Sequence, residues 1–305
     1  MGAGSGAVRW SARGLAEVPA PGAWLSPSEA AWSGRMRYPK RRTEYLVSRW
    51  TAKHALATVF GLDAEPATLA RIEVRPRPTG APMACLDGAP LPISISSTDR
   101  ADWAVCTLGD PSLGLGCDLE LVEPRTAGFV RDYFRPAEVA AVVAAGPEQH
   151  DLMANLIWSA KESALKVLQT GLRRDTRSVE VTLAGWPAVD PAPPPADGAV
   201  GGAPDRRSDG AVDGWPDRPS DRTVSPSDGA VGGWRRLTVR PVEGGEFPGW
   251  WCRFGPFLLT VATTAEPAAP ASLDDPPGLT TAIPSHSWLA QSPEGSCRPR
   301  SSPPQ

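Results

Sequence analysis

Gly114-Leu-Gly-Cys-Asp-Leu-Glu-Leu121 alternates as a β-strand does. Leu113, Leu115, Cys117, Leu119 and Leu121 fall on one face, and Gly114, Gly116, Asp118 and Glu120 on the other. Two carboxylates two residues apart project the same way, roughly 7 Å apart along the strand, so both can reach one cation. The glycines beside them are expected to leave room for a ligand. A second stretch, Trp158-Ser-Ala-Lys-Glu-Ser-Ala-Leu-Lys166, lies in a segment, 152–169, that holds no Pro or Gly and many helix formers. Glu162 and Lys166 then sit one turn apart on a shared face, with Lys161 about 100° round the axis. A third carboxylate and two ammonium groups can thus face the strand's pair. Each stretch alone has an ordinary reading. An Asp-x-Glu at a strand end serves as a solvated rim, and a Glu-to-Lys pair at this spacing is surface support worth about 0.2–0.5 kcal/mol.

Taken in order, with Lys161 following Asp118 by 43 positions, the two stretches resemble the signature motifs of the 4′-phosphopantetheinyl transferases. Those read G-[VIC]-D-x-[ED] and [WF]-S-x-K-E-[SA]-x-x-K. The resemblance implies transfer of the 4′-phosphopantetheine arm of coenzyme A to a serine of an apo acyl or peptidyl carrier protein, with Mg²⁺ as cofactor. It implies a metal site of Asp118, Glu120 and Glu162. Lys161 and Lys166 would act on the substrate's charge, and Glu162, or Glu138 through water, would take the serine proton. The alternative from another class is a non-catalytic module that binds carrier proteins or coenzyme A.

Length and composition set the frame. The chain has 305 residues, a net charge of −3 and 41% hydrophobic residues, low for a chain globular throughout. Thirty-five prolines and thirty glycines account for the deficit. Five cysteines show neither metal spacing nor an even disulfide set, which points to a reducing cytoplasm. No apolar run approaches the ~18 residues of a membrane span, and no signal-peptide pattern opens the chain. Nothing points to nucleic acid, since the chain is acidic.

Against that acidity one basic block stands out: Arg35, Arg37, Lys40, Arg41, Arg42, Arg49 and Lys53 against a single acid, Glu44. Its 41–60 portion has a helical pattern ended by Gly61. The block reads either as a solvated helix face or as a phosphate site. The resemblance implies the latter, with Lys40, Arg41 and Arg42 on coenzyme A phosphates.

Residues 71–75 read as a strand, followed by the turn Thr79-Gly80-Ala81-Pro82, where the family carries Gly-Lys-Pro against its ligand. Residues 91–98 and 103–108 read as a hairpin around Thr98-Asp-Arg-Ala. Ser96 and Ser97 there resemble a family segment in which a histidine, here Ser97, contacts a coenzyme A phosphate. Pro136 opens a helix whose first turn carries Glu138.

Asp-Gly-Ala-Val-Gly-Gly occurs at 197–202 and again at 228–233, in a segment too polar and too rich in Pro and Gly to bury a core. The expected organisation is a flexible N-terminus, 1–20, and an N-terminal half, 21–112, for coenzyme A phosphates. A C-terminal half, 113–265, carries the motifs and a disordered insertion, 188–233, and a disordered tail covers 266–305. The class is α+β. The resemblance implies the Sfp-type form, two similar α/β halves making a pseudo-dimer in one monomer.

Overall fold

The computed structural model describes residues 7–184, 233–274 and 278–284. Its first part runs β1 (Arg9–Gly14), α1 (Pro27–Gly34), α2 (Pro39–Phe60), α3 (Pro66–Arg71), β2 (Ile72–Pro76), β3 (Pro82–Leu86), β4 (Ala89–Pro90), β5 (Ser94–Arg100) and β6 (Trp103–Gly109). There follow β7 (Leu115–Leu121), α4 (Ala127–Tyr133), α5 (Pro136–Ala144), α6 (His150–Val167), β8 (Val179–Leu183), β9 (Arg235–Pro241), β10 (Phe247–Phe254), β11 (Phe257–Thr263) and β12 (Ala271–Ser272). The class is α+β, with three sheets ordered β12-β1-β6-β5, β7-β11-β10-β9-β8 and β2-β3-β4.

The residues explain the elements. α1 opens at Ser26, whose side chain accepts from Glu29 N while Glu29 accepts from Ser26 N, a reciprocal cap followed by Pro27. α2 starts at Pro39 and stops at Gly61, whose φ of 65° is the left-handed closure glycine permits. Side-chain alternation then stacks the layers. On β6, Val105 packs into a core shared with β7, β10 and β11, whereas Cys106 and Leu108 face α2. On β11, Phe257, Leu259 and Val261 join that same central core, whereas Leu258 packs with α6. One long helix thus covers the outer side of each large sheet, and the two sheets share an apolar interior. They meet at β5 and β7 through side chains: Ser96 Oγ accepts from Cys117 N (3.1 Å) and Thr98 Oγ1 from Leu119 N (3.2 Å).

Several sequence expectations are corrected. Residues 7–20 are not loose, because β1 sits between β6 and β12 and buries Val8, Trp10 and Ala12. The Gly/Ala-rich composition hides this alternation. The tail is likewise ordered in part: β12 pairs with β1, and Leu279 is fully buried. The hairpin turns at Ala101 and Asp102, both at positive φ (49° and 64°), not at Thr98. The 188–233 expectation lies outside the described residues except for Gly233. It joins neighbours, since β8 and β9 pair antiparallel with Leu183 opposite Leu237. Among the described residues no helix is long and apolar enough to cross a membrane, and Cys85, Cys106, Cys117 and Cys252 are buried free thiols.

Candidate active site

β7 is buried on both faces. Its leucines and Cys117 enter the central core, and its other face lies under α6. Asp118 and Glu120 are therefore not a solvated rim; they are 4% and 8% exposed. Gly116 is required by the helix rather than by a ligand, contrary to the expectation of open space: a Cβ there would stand 2.0 Å from Ser163 O. The register of α6 is fixed by two serines on one threonine of β11, with Ser159 Oγ 2.8 Å and Ser163 Oγ 2.7 Å from Thr260 Oγ1.

This packing brings Glu162 and Lys166 to the carboxylates of β7. Lys166 Nζ donates to Cys117 O (2.7 Å) and to Asp118 Oδ1 (3.0 Å). Burial works against its charge, but its neighbours, Asp118 foremost, more than offset this and hold its pKa above the ordinary lysine value. Asp118 Oδ1 also accepts from Thr98 Oγ1 (3.3 Å), whereas Asp118 Oδ2 is buried with no hydrogen-bond partner. Burial, then the neighbouring Asp118 charge, pushes Glu162 up to about 8 and Glu120 up to about 7. Glu120 is further tied down, accepting from Trp158 Nε1 (3.0 Å) and pairing with Arg100 (3.3 Å) and Arg125 (3.4 Å). Glu162 thus lies within electrostatic reach of both Asp118 and Glu120. Among the described residues, however, no three His, Cys, Asp or Glu side chains are gathered closely enough to enclose a metal ion by themselves.

Two residues expected here are elsewhere. Lys161 and Glu138 form a fully buried ion pair at 2.7 Å. Lys161 Nζ also donates to Thr176 O (3.0 Å) and Val179 O (2.7 Å). Glu138 accepts from Arg135 N at the start of α5 (2.7 Å) and from Val181 N of β8 (2.8 Å). The flank of α6 that carries Lys161 therefore packs on α5 and β8. Burial lowers the lysine's pKa and raises the carboxyl's, each opposed by the partner's charge. This pair staples α6 to its neighbours.

A cavity of about 1450 Å³, larger than the roughly 300–1,000 Å³ of common small-molecule sites, reaches Lys166 but is not lined by Asp118, Glu120 or Glu162. It runs from α1 to the end of α6, where Lys166 forms part of its wall. Lys166 is thus the residue shared by the cavity and the carboxylate cluster. Gly80, Ser96 and Ser97 also line it, although Ser96 Oγ is engaged by Cys117 N. Lys40, Arg41 and Arg42 do not line it. Lys40 and Arg41 are exposed at the start of α2 and pair with Glu44. Besides Lys166, the cations on the cavity wall are Arg49, Arg75, Arg77 and Arg173. Of these, only Arg49 belongs to the basic block of the sequence. Arg75-Pro-Arg77 before the Thr79 turn was a visible signal; Arg173 was not. Arg173 Nη2 donates to Thr79 O (2.7 Å), and Thr79 Oγ1 donates to Gln169 Oε1 (3.0 Å), so the turn is clasped to the end of α6 across the cavity.

Comparison with known proteins bears out the resemblance over the motif region. Residues 114–192 match the family model of the 4′-phosphopantetheinyl transferase superfamily. A Bacillus subtilis protein described as "4′-phosphopantetheinyl transferase" is 31% identical over 90 residues. That alignment covers 30% of this chain and 38% of the relative's length.

Proposed function

We propose, from the superfamily match of residues 114–192, that this chain transfers the 4′-phosphopantetheine arm of coenzyme A to a serine of an apo acyl or peptidyl carrier protein. The observation that carries the reading is Lys166, whose ammonium lies against Asp118 and on the wall of a cavity large enough for a nucleotide-bearing substrate. In the reaction the serine Oγ forms a bond to the phosphorus that bears the pantetheine. The anhydride P–O bond breaks, and adenosine 3′,5′-bisphosphate leaves with that bond's electron pair. Lys166 is placed to stabilise charge that develops on the transferred group. Glu162 takes the serine proton. Glu138 is not supported in that role, being buried against Lys161.

The residues fit a hard cation at Asp118. Its Oδ2 is buried and lacks a partner, and its charge helps to keep protons on Glu120 and Glu162. Asp118 and Glu162 would hold Mg²⁺ with Glu120 behind them, leaving positions for water and phosphate oxygens as this ion prefers. When bound, the ion would neutralise the diphosphate as a Lewis acid. Arg49, Arg75, Arg77 and Arg173, in place of Lys40, Arg41 and Arg42, are the cations proposed for coenzyme A phosphates. One long helix on the outer side of each large sheet supports the Sfp-type reading, a pseudo-dimer working as a monomer.

The test is mass spectrometry of an apo carrier protein after incubation with the chain, coenzyme A and Mg²⁺. A gain of the phosphopantetheine mass on the serine supports transfer. Tight coenzyme A binding without any gain favours a non-catalytic binding module.

A further inference from the structure

The wall of the cavity opposite α6 carries a feature that the transfer chemistry does not use. Trp32 is 58% exposed, and among the described residues it is the one exposed tryptophan; Trp10, Trp24, Trp158, Trp234, Trp250 and Trp251 are all buried. Tryptophan is on average a highly buried residue, so an open one on a cavity wall needs a reason. Ser28, Glu29 and Trp32 all line the cavity, as helix spacing dictates, since Ser28 and Trp32 are one turn apart.

The helix that presents Trp32 is held firmly from below. Glu29 is ion-paired to the fully buried Lys53 and accepts from Val74 N of β2 (3.2 Å), and Ser28 Oγ donates to Glu73 (2.8 Å). The indole is therefore an exposed flat surface on a fixed mount. Cations stand on the same cavity wall. Arg49 lies over the Tyr45 ring at 4.5 Å and its Nε pairs with Glu29 (3.8 Å). Arg75, which pairs with Glu73, lines the cavity too. A planar aromatic face beside guanidinium groups suits a phosphorylated nucleoside, whose base stacks while its phosphate is paired.

We propose that Trp32 is the stacking platform for the heteroaromatic base of the cavity's ligand. This rests on the transferase reading, in which that base is the adenine of coenzyme A. It assigns the nucleoside to the α1 end of the cavity and the transferred arm to the Lys166 end.

Calorimetric binding of coenzyme A and of adenosine 3′,5′-bisphosphate to the full chain and to its Trp32→Ala and Trp32→Phe variants tests this, with circular dichroism as the check on folding. Trp32→Ala should weaken both ligands roughly five- to 150-fold, the range expected for loss of one base–aromatic stack. Trp32→Phe should recover most of that loss, because it restores a ring. Wild-type affinity of Trp32→Ala for adenosine 3′,5′-bisphosphate would overturn the proposal, and so would a Trp32→Phe variant as weak as the alanine. Failure of the wild-type chain to bind either ligand would instead overturn the transferase reading, and the platform with it.

Discussion

Replacing Lys161 by methionine separates a structural lysine from a substrate-binding one. The side chain is fully buried, pairs with Glu138 at 2.7 Å and donates to two backbone carbonyls at 3.0 and 2.7 Å. Methionine keeps most of the volume but strands a buried carboxyl and two carbonyl oxygens. Breaking a buried pair by removing one partner costs about 3–5 kcal/mol. The orphaned carbonyls place the expected loss toward the upper end. For a domain of 150–250 residues that corresponds to a fall in Tm of roughly 6–20 °C. Adding Glu138→Gln should return part of the loss, because the stranded group is then neutral. The assay is thermal unfolding by circular dichroism, beside coenzyme A affinity measured well below the transition. If Lys161→Met left Tm within about 2 °C of wild type, an ordinary surface-level effect, and yet lost coenzyme A affinity, the lysine would be acting on the ligand and the stapling role would be wrong.

Three further outcomes follow from the same packing. Gly116→Ala should destabilise by about 1–3 kcal/mol or more, read as a lowered urea midpoint, because its Cβ would meet Ser163 O at 2.0 Å. Glu120 and Glu162 titrate in the folded chain near 7 and 8, against about 4.5 for the free groups. Raised carboxyl pKa values mean that the folded state binds more protons. Their contribution is therefore complete below pH 4.5 and is lost as pH rises through 7 to 8. Stability without Mg²⁺ should fall across that window in a pH series of thermal melts, and Mg²⁺ should reduce the fall. Replacing 188–233 by a short Gly/Ser linker should leave the melt nearly unchanged. The segment joins paired strands, and loop-closure cost varies by only about 0.6 kcal/mol per doubling of length.

Much of the site was legible because local periodicity decides it. The alternation at 113–121 yields β7 with its carboxylates on one face, and the breaker-free run at 152–169 yields α6 with Glu162 and Lys166 together. What periodicity leaves open is which flank of a helix meets which neighbour. Lys161 sits about 100° from Glu162, and only the docking of α5 and β8 turns that flank into an interior. β1 escaped notice for a related reason. Six residues of mixed polarity become a strand only because β6 and β12, far along the chain, supply its hydrogen bonds. The cavity's cations come from α2, β2, its following turn and the end of α6, so a contiguous basic block drew attention to Lys40, Arg41 and Arg42 instead.

The most direct measurement is the initial rate of carrier-protein modification across a Mg²⁺ titration for wild type, Asp118→Asn, Glu162→Gln and Lys166→Ala, each confirmed folded. Asp118→Asn and Glu162→Gln should lose most activity at low Mg²⁺ and recover part of it as Mg²⁺ rises, because an amide holds a hard cation less tightly. Lys166→Ala should stay inactive at every Mg²⁺ concentration, because the missing charge acts on the transferred group. Amide variants that matched wild type at low Mg²⁺, or a Lys166→Ala variant rescued by added Mg²⁺, would contradict the assignment of these residues.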